Sequence, residues 1–599
     1  MLRPPAGAAR PKTALFAAGV FALLVAATVA AFFVTTRLKR SAPVVEDLTF
    51  ARYLSPNRDG RHDFVDIGFQ TKRMDDVTVS VVNKDGDDVR TLADDVTLAK
   101  GRHRFRWDGR LDSGEVAPDG KYRIRVSLRK QARTVTSPRK LFVDTKPPHP
   151  VIRYVSPDAI SPDGAGSANS ATVRFDGPVR RRPTLLVFHS RLGALRLVAR
   201  EAGRAGSSRL SWNGQVGLRG RERRAPSGNY LLVVRVTDAA GNASSSKPPS
   251  RGRVRGHPGL RVRYVEARAP LRPVRAGQRV NFAVASDGRR YRWSLRRVGS
   301  RRVVRRGSSH AHTLTLHAPR GRTGLYVLGL RVGNHRYSTP FAVQGRRRSR
   351  LLVVLPVASW QARNDLDADG DGYGDLLPDD RSVSIARPYA GTGLPAAFGA
   401  REGALQRLLD RTHRNFELTT DVGLTDPGAR SAVHGRGLLF AGPPRFFLPQ
   451  AASLAETYVR SGGRAAWLGT RGFTTPVGMS GTQLELLPAL PARRNSFGER
   501  LRPDVANAAL VVLADDIDFF TGVSTALGPF PLLEPSTRLP RGARLLAAAG
   551  HEAGRPSLVV YRDGRGIVAR VGIDGFARTA LRSPAQARIM ARLWTLLSR

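Results

Sequence analysis

The chain has 599 residues, with 98 Lys and Arg against 48 Asp and Glu, for a formal net charge of +50. At 41% hydrophobic it can fill several packed cores, and its length alone sets a prior of roughly three to five domains. It contains no cysteine, which excludes disulfides, thiolate metal sites and a cysteine nucleophile.

Residues 1–12 form a short basic tail carrying Arg3, Arg10 and Lys12. Thr13–Thr36 then runs for 24 residues without a charge. As a helix it would span about 36 Å, enough to cross a bilayer core. A cleavable signal usually has a shorter apolar region. The reading is therefore a single-pass anchor in the cytoplasmic membrane, with the tail cytoplasmic and the bulk outside. Arg37, Lys39 and Arg40 follow the span, so flanking charge alone does not orient it. The exported character of the following modules does.

Two units of about 100 residues, 41–148 and 149–248, repeat one set of signals. Ser55-Pro56-Asn57-Arg58-Asp59-Gly60 returns as Ser161-Pro162-Asp163-Gly164, and Trp107-Asp108-Gly109 as Trp212-Asn213-Gly214. Pro118-Asp119-Gly120-Lys121-Tyr122 returns as Pro226-Ser227-Gly228-Asn229-Tyr230. Between them lie short alternating runs such as Val77–Val82 and Tyr230–Val236, bounded by turn residues, which predicts β-sandwiches. Pro147-Pro148 closes the first unit and Ser244–Pro249 the second. These residues resemble the immunoglobulin-like domain of flagellar hook-capping proteins over about 45–148 and, more weakly, 150–246. That resemblance implies a spacer or adhesion module without chemistry of its own. Asn57, Asp59 and Asp63 read as turn caps rather than cation ligands.

Residues 256–344 read as a third β-sandwich-like module, with Arg261–Val265 and Leu325–Val332 alternating at period two. Residues 251–350 hold 26 basic and 2 acidic side chains, and 151–350 carry +34 against +6 for 351–599. The Lys count is 10, leaving 88 Arg. A preference for Arg over Lys cannot explain a local shortage of acids. The stretch is therefore a candidate surface for an anionic envelope polymer or lipid headgroups. Nucleic acid is disfavoured by the exported location.

From Leu351 the pattern becomes α/β with a mostly parallel sheet. The expected strands are Leu351–Leu355, Phe416–Thr420, Gly437–Ala441, Ala465–Gly469, Ala508–Leu513 and Leu558–Tyr561. Helices are expected at Glu402–Leu409, Ala451–Ser461 and Ser583–Leu597. Three runs, Val353–Asp365, Tyr458–Gly469 and Val571–Trp594, make 345–599 resemble the C-terminal domain of the N,N-dimethylformamidase large subunit, a relative of class I glutamine amidotransferases. The resemblance implies an amidotransferase-like fold. In the dimethylformamidase family it also implies iron held by Tyr and Glu, but nothing in this chain maps onto those ligands. The amidotransferase nucleophile would fall near Leu468–Gly472, where Thr470 is the only hydroxyl, with His551 and Glu552 as distant partners. A site so degenerate points away from catalysis.

The run Asn364–Asp380 packs seven carboxylates into the sixteen residues from Asp365 to Asp380. Asp367, Asp369, Asp371 and Asp375 stand at positions 1, 3, 5 and 9 of a calcium loop, with Gly372 at position 6 and the Tyr373 carbonyl at position 7. Pro378 occupies position 12, where a bidentate Glu would complete the pattern, leaving Asp379 or Asp380 as substitutes. A register starting at Asp365 puts Gly370 at position 6 but loses the carboxylate at position 9. The sequence thus describes a membrane-anchored envelope protein: β spacers, a basic face and a Ca²⁺-bearing α/β head with a binding or scaffold role. The alternative is an exported hydrolase acting on amide or glycosidic bonds through the head.

Overall fold

The computed structural model describes residues 12–39, 45–163, 168–217, 220–246, 257–320, 323–345, 347–523, 526–552 and 555–599. The basic tail before Lys12, residues 251–256 and the end of the Ser244–Pro249 closure lie outside them. The chain forms two compact units, Met1–Pro148 with Thr237–Ala243, and His149–Val236 with Ser244–Arg599.

In the first unit, helix α1 (Lys12–Lys39) contains a 20-residue apolar window, Phe16–Thr35, of mean hydropathy 2.5. Its Thr28 and Thr35 hydroxyls donate to the Leu24 and Ala31 carbonyls at 2.7 Å. Those polar atoms are satisfied inside the helix, as a bilayer requires. By length and composition α1 fits a membrane anchor or an export signal. The β-sandwich of this unit packs a three-stranded sheet (Val45–Thr49, Val65–Thr71, Gly101–Trp107) on a larger one built on Asp75–Val82, Asp88–Leu98 and Gly120–Leu128. Burial alternates strictly along Val65–Thr71, the pattern of a strand with one face in the core.

The repeated motifs turn out to be one packing device used twice. Trp107 and Trp212 are fully buried, and their indole N–H groups donate to the Arg110 and Gln215 carbonyls at 2.7 and 2.8 Å. Tyr122 and Tyr230 donate to the Pro118 and Pro226 carbonyls at 2.8 and 2.9 Å. Gly109 and Gly214 both have positive φ. A Cβ on Gly109 would stand 2.7 Å from Pro56 Cγ, and one on Gly214 would collide with Pro162. The distant Ser-Pro and Trp-x-Gly signals therefore recur together because the proline rests on the glycine. Asn57, Asp59 and Asp63 accept backbone N–H groups of residues 58–61 at 2.7–3.0 Å, as turn caps.

In the second unit the same layout recurs. Val151–Ser156, Ala171–Asp176 and Arg209–Trp212 face a sheet containing Gly228–Thr237, Thr184–Arg191 and Ala194–Ala202. Gly259–Val262, part of the stretch read from sequence as opening the third module, is a strand of this sheet, paired with Gly228–Leu231. A third sandwich follows, of three strands against five: Glu266–Arg268, Arg279–Ala285 and Thr313–His317 against Val274–Arg275, His335–Gln344, Gly324–Val332, Tyr291–Arg297 and Val303–Ser309.

The head is built on nine strands: β1 Leu351–Leu355, β2 Glu417–Thr420, β3 Gly437–Phe440, β4 Arg464–Leu468, β5 Val505–Asp515, β6 Ala526–Leu533, β7 Arg544–Glu552, β8 Arg555–Asp563 and β9 Gly566–Val571. Their order is β2-β1-β3-β4-β9-β8-β7-β5-β6. The four pairings from β2 to β9 are parallel and the four from β9 to β6 antiparallel. The sheet is thus mixed rather than mostly parallel. The sequence explains the switch: β7, β8 and β9 are separated by two residues each, room for a hairpin but not for a crossover helix. Helices α2 (Val357–Ala362), α3 (Glu402–Arg411), α4 (Pro449–Arg460) and α5 (Pro584–Ser598) belong to the parallel half and the C-terminus. Both α4 and α5 carry Pro at their first turn.

The Gly–Pro contact yields a prediction. Gly109→Ala should cost about 1–3 kcal/mol from backbone strain plus the clash with Pro56. Hydrogen-exchange protection of Val65–Thr71 and Gly101–Trp107 should fall accordingly. Gly114→Ala, at a similar φ with open space around the added Cβ, should cost less.

Candidate functional site

The acid-rich loop leaves α2 and folds around one guanidinium. Arg387 is almost sealed from solvent and pairs with Asp375 Oδ2 at 3.0 Å. It also donates to the carbonyls of Gln361, Asn364, Leu366 and Asp375 at 2.8–3.1 Å. Asp367 accepts the backbone N–H groups of Gly370 and Gly372 at 2.7 and 2.9 Å. A Cβ at Gly372 would reach within 2.8 Å of Leu231 Cδ1, and one at Gly374 would strike Asp365, so both glycines are sterically required.

The loop also bonds to the second β-sandwich. Asp365 Oδ2 accepts the Leu192 N–H at 2.8 Å, and the Asn229 side chain bonds Asp365 O at 2.9 Å and Asp367 N–H at 3.1 Å. Gly259 N–H donates to Gly370 O at 2.8 Å, and His257 Nδ1 lies 2.8 Å from Asp369 O.

Of the expected ligands, Asp367, Asp369 and Asp375 come together, with one carboxylate oxygen of each within 4.8 Å of the others. That spread suits one ion about 2.3–2.6 Å from each. Asp371 caps the Tyr373 N–H at 2.7 Å, as Asp367, Asp369 and Asp375 cap other N–H groups of the loop. Asp365 is turned to the sandwich, and Asp380 caps Leu376 N–H at 2.7 Å. Burial pushes Asp367 up to about 7, and Asp375 likewise to about 7 despite Arg387. The three carboxylates therefore fit a divalent cation by geometry and by charge, with Arg387 offsetting one of three negative charges.

Thr470 and His551 are not brought together. They lie at the ends of β4 and β7, with β9 and β8 between them, three strand spacings or about 14 Å. The sequence suggests that the adjacent His551 and Glu552 point apart. A register shift at the end of β7 instead lets His551 Nε2 approach Glu552 Oε1 to 3.1 Å.

A second polar centre, not foreseen from sequence, stands where β1, β3, β4 and β9 end. Asp421 accepts the N–H groups of Val357 and Ala358, both at 3.0 Å, and so closes the amino end of α2. Glu402 opens α3 and is buried. Its Oε1 accepts the Trp360 indole N–H at 3.1 Å, while its Oε2 has no partner. Burial pushes Glu402 up to about 7. Arg401 grips Asp574 in a fork at 2.7 and 3.0 Å. Arg471, at φ 59, reaches Asp504 at 3.2 Å and gives its N–H to Glu534 at 2.8 Å. Beneath it, fully buried Arg570 binds Glu499 at 2.8 Å.

A third feature lies on the third sandwich. Arg292, Arg331 and Arg336 stand directly opposite one another across three strands. The next row is Ser294, Gly329 and Ser338, with Arg306 opposite Ser294. Arg292, Arg296, Arg306 and Arg336 are exposed. The small residues floor a groove of about 540 Å³ walled by these arginines. Like charges directly opposite are destabilising, and among the described residues no carboxylate pairs with any of them.

Two known families match parts of the chain. The family of FlgD Ig-like domains matches residues 63–132, and that of N,N-dimethylformamidase beta subunit-like C-terminal domains matches 303–505. The second match begins inside the third sandwich and ends at the first residue of β5. The basal-body rod modification protein FlgD of Escherichia coli (strain K12) is 43% identical over 53 residues, 9% of this chain and 22% of that protein. The chain thus spans about a fifth of that relative's length. Titin domains I67–I69 are 12% identical, covering 51% of this chain and all of theirs, with a TM-score of 0.21. The fibronectin(III)-like modules of Clostridium thermocellum CbhA are 15% identical, covering 37% and 90%, with a TM-score of 0.18.

Arg387→Met should destabilise the head by about 3–5 kcal/mol, because it strands Asp375 and several carbonyls in a buried site. The urea midpoint of the full chain, followed by exchange protection of β1 and β3, measures it. Arg387→Lys should recover little, since one ammonium cannot reach all these oxygens in the plane of a guanidinium fork.

Proposed function

We propose that this protein is a membrane-tethered, extracytoplasmic envelope component that binds and scaffolds rather than catalyses. In this reading residues 1–12 are cytoplasmic and 13–36 span the membrane. Three β-sandwich modules (41–148, 149–248 and 256–344) then carry a 345–599 head outward. The observation that carries the reading is the arginine ladder Arg292–Arg331–Arg336 beside its small-residue trough. A row of uncompensated guanidinium groups costs stability unless an anion lies along it, and the planar fork suits phosphate and carboxylate alike. The occupant is an anionic envelope polymer or a layer of lipid headgroups. The hydrolase alternative has less support: the chain has no cysteine, and Thr470 and His551 lie three strand spacings apart, about 14 Å.

The acid-rich loop serves this scaffold as a cation-stiffened joint. Ca²⁺ held by Asp367, Asp369 and Asp375 would replace the protons that burial favours on Asp367 and Asp375. Because the loop also bonds to Leu192, Asn229 and Gly259, the ion would fasten the head to the second sandwich.

Two outcomes are expected. The full chain in detergent should be retained on heparin and on extracted cell-wall polymer, and should elute at moderate salt, since exposed charge is screened within about 8 Å at physiological ionic strength. The triple variant Arg292→Gln, Arg331→Gln, Arg336→Gln should elute markedly earlier. Unchanged retention would remove the ladder from the account. Calcium at a hundredfold excess over Kd should stabilise the full chain by about 2.7 kcal/mol, and Asp369→Ala should abolish the gain. No calorimetric heat at millimolar Ca²⁺ in the wild type would exclude the ion.

A further inference from the structure

The third sandwich leaves one long strand edge open. Val303–Ser309 is seven residues long and is the last strand of the five-stranded sheet. It is exposed from Val303 to Ser308. An unpaired edge invites a further strand, and proteins guard against this with short strands, proline or charge. Two other outer strands of this sandwich, Glu266–Arg268 and Val274–Arg275, are only three and two residues long. The outer strand β6 of the head carries Pro529 and Pro531. Val303–Ser309 has no proline, and arginine is its only guard.

Beside this edge lies a groove of about 1120 Å³, larger than the trough beside the ladder. Arg301, Arg302 and Arg305 line it from the edge of the five-stranded sheet. Arg320 lines it from the chain that follows Thr313–His317, the outer strand of the three-stranded sheet. The groove therefore runs along the open side of the sandwich. It is distinct from the ladder: Arg305 stands opposite the core residue Leu295, whereas Arg306 stands opposite Ser294 in the ladder's trough. Among the described residues no carboxylate pairs with Arg301, Arg302, Arg305 or Arg320. Asp410, which also lines the groove, is held by Arg297 and by Gln406 Nε2, the latter at 3.0 Å. Val303 and Val304, 39% and 44% exposed, add apolar surface beside the charges.

We propose that this edge binds an extended acidic segment of a partner polypeptide, which joins the sheet as a further strand. The partner's backbone pairs with the outward N–H and C=O groups of Val303–Ser309. Its carboxylates meet the four arginines, and apolar residues between them cover Val303 and Val304. Seven residues of edge offer it about 23 Å of strand. Arginine here repels a second basic strand and attracts an acidic one, so the guard against self-pairing also selects the partner. A polysaccharide would answer the charge but neither the backbone edge nor the valines.

The test is fluorescence anisotropy of the full chain in detergent with a short labelled peptide of alternating Glu and Val. It should bind saturably. A version with Pro in place of each Val, equal in charge, should bind about tenfold more weakly, because proline cannot donate to a strand edge. Arg305→Gln with Arg320→Gln should weaken the Glu–Val peptide about tenfold and leave the melting temperature unchanged, since neither side chain has an ion pair or hydrogen bond among the described residues. The ladder variant Arg292→Gln, Arg331→Gln, Arg336→Gln should bind the peptide as the wild type does. No saturable binding, equal binding of the proline version, or binding lost in the ladder variant and kept in the groove variant would overturn the proposal. So would a heparin fragment that binds the groove more tightly than the peptide does, which would assign it to polysaccharide. Self-association of the wild type that the groove variant abolishes would give the edge to a second copy of this chain, and would overturn the proposal as well.

Discussion

Seven carboxylates cannot share one short loop unless their charge is answered, and in this protein the answer begins with Arg387. Its guanidinium collects one carboxylate and four carbonyls from Gln361 to Asp375. That anchoring sets the path of the loop. It brings Asp367, Asp369 and Asp375 to a common point, and it leaves Asp365 and Gly370 aimed at the second sandwich. The price is a buried cation beside a candidate cation site. The geometry tolerates it because three acids face one guanidinium.

The same constraint, with the signs exchanged, governs the rest of the second unit. Several arginines are held inside the fold by carboxylate partners, as in Arg570 with Glu499, Arg401 with Asp574 and Arg261 with Glu266. The ladder arginines have no carboxylate partner among the described residues and stand exposed or half-exposed. The division between paired and unpaired arginine separates structural charge from charge that is available to a ligand, and composition alone does not make that distinction.

Much of the scaffold was legible in the residues. Strictly alternating runs such as Val65–Thr71 and the apolar Leu351–Leu355 announce strands, and the recurring Pro, Gly, Trp and Tyr announce a repeated sandwich. The acidic spacing pointed to Asp367, Asp369 and Asp375, which the fold brings together. What the chain did not disclose depends on partners remote in sequence. Arg387 meets Asp375 across a turn with no motif. Glu402 meets Trp360 over forty-two positions. The antiparallel half of the head was signalled only by the short connections around β8, which apolar periodicity does not register.

The loop's bonds to Leu192, Asn229 and Gly259 bear on how this polypeptide divides. A cut at the basic stretch before Leu351 looks natural, since composition and secondary structure both change there. Such a cut would strip the acid-rich segment of its Asn229 clamp and its Gly259 N–H, leaving Asp365 O and Gly370 O without their donors. The head and the second sandwich are consequently one inheritance unit: an insertion or exchange that separates 149–262 from 351–599 removes half of the loop's wall, although no connecting residue of the loop itself is altered.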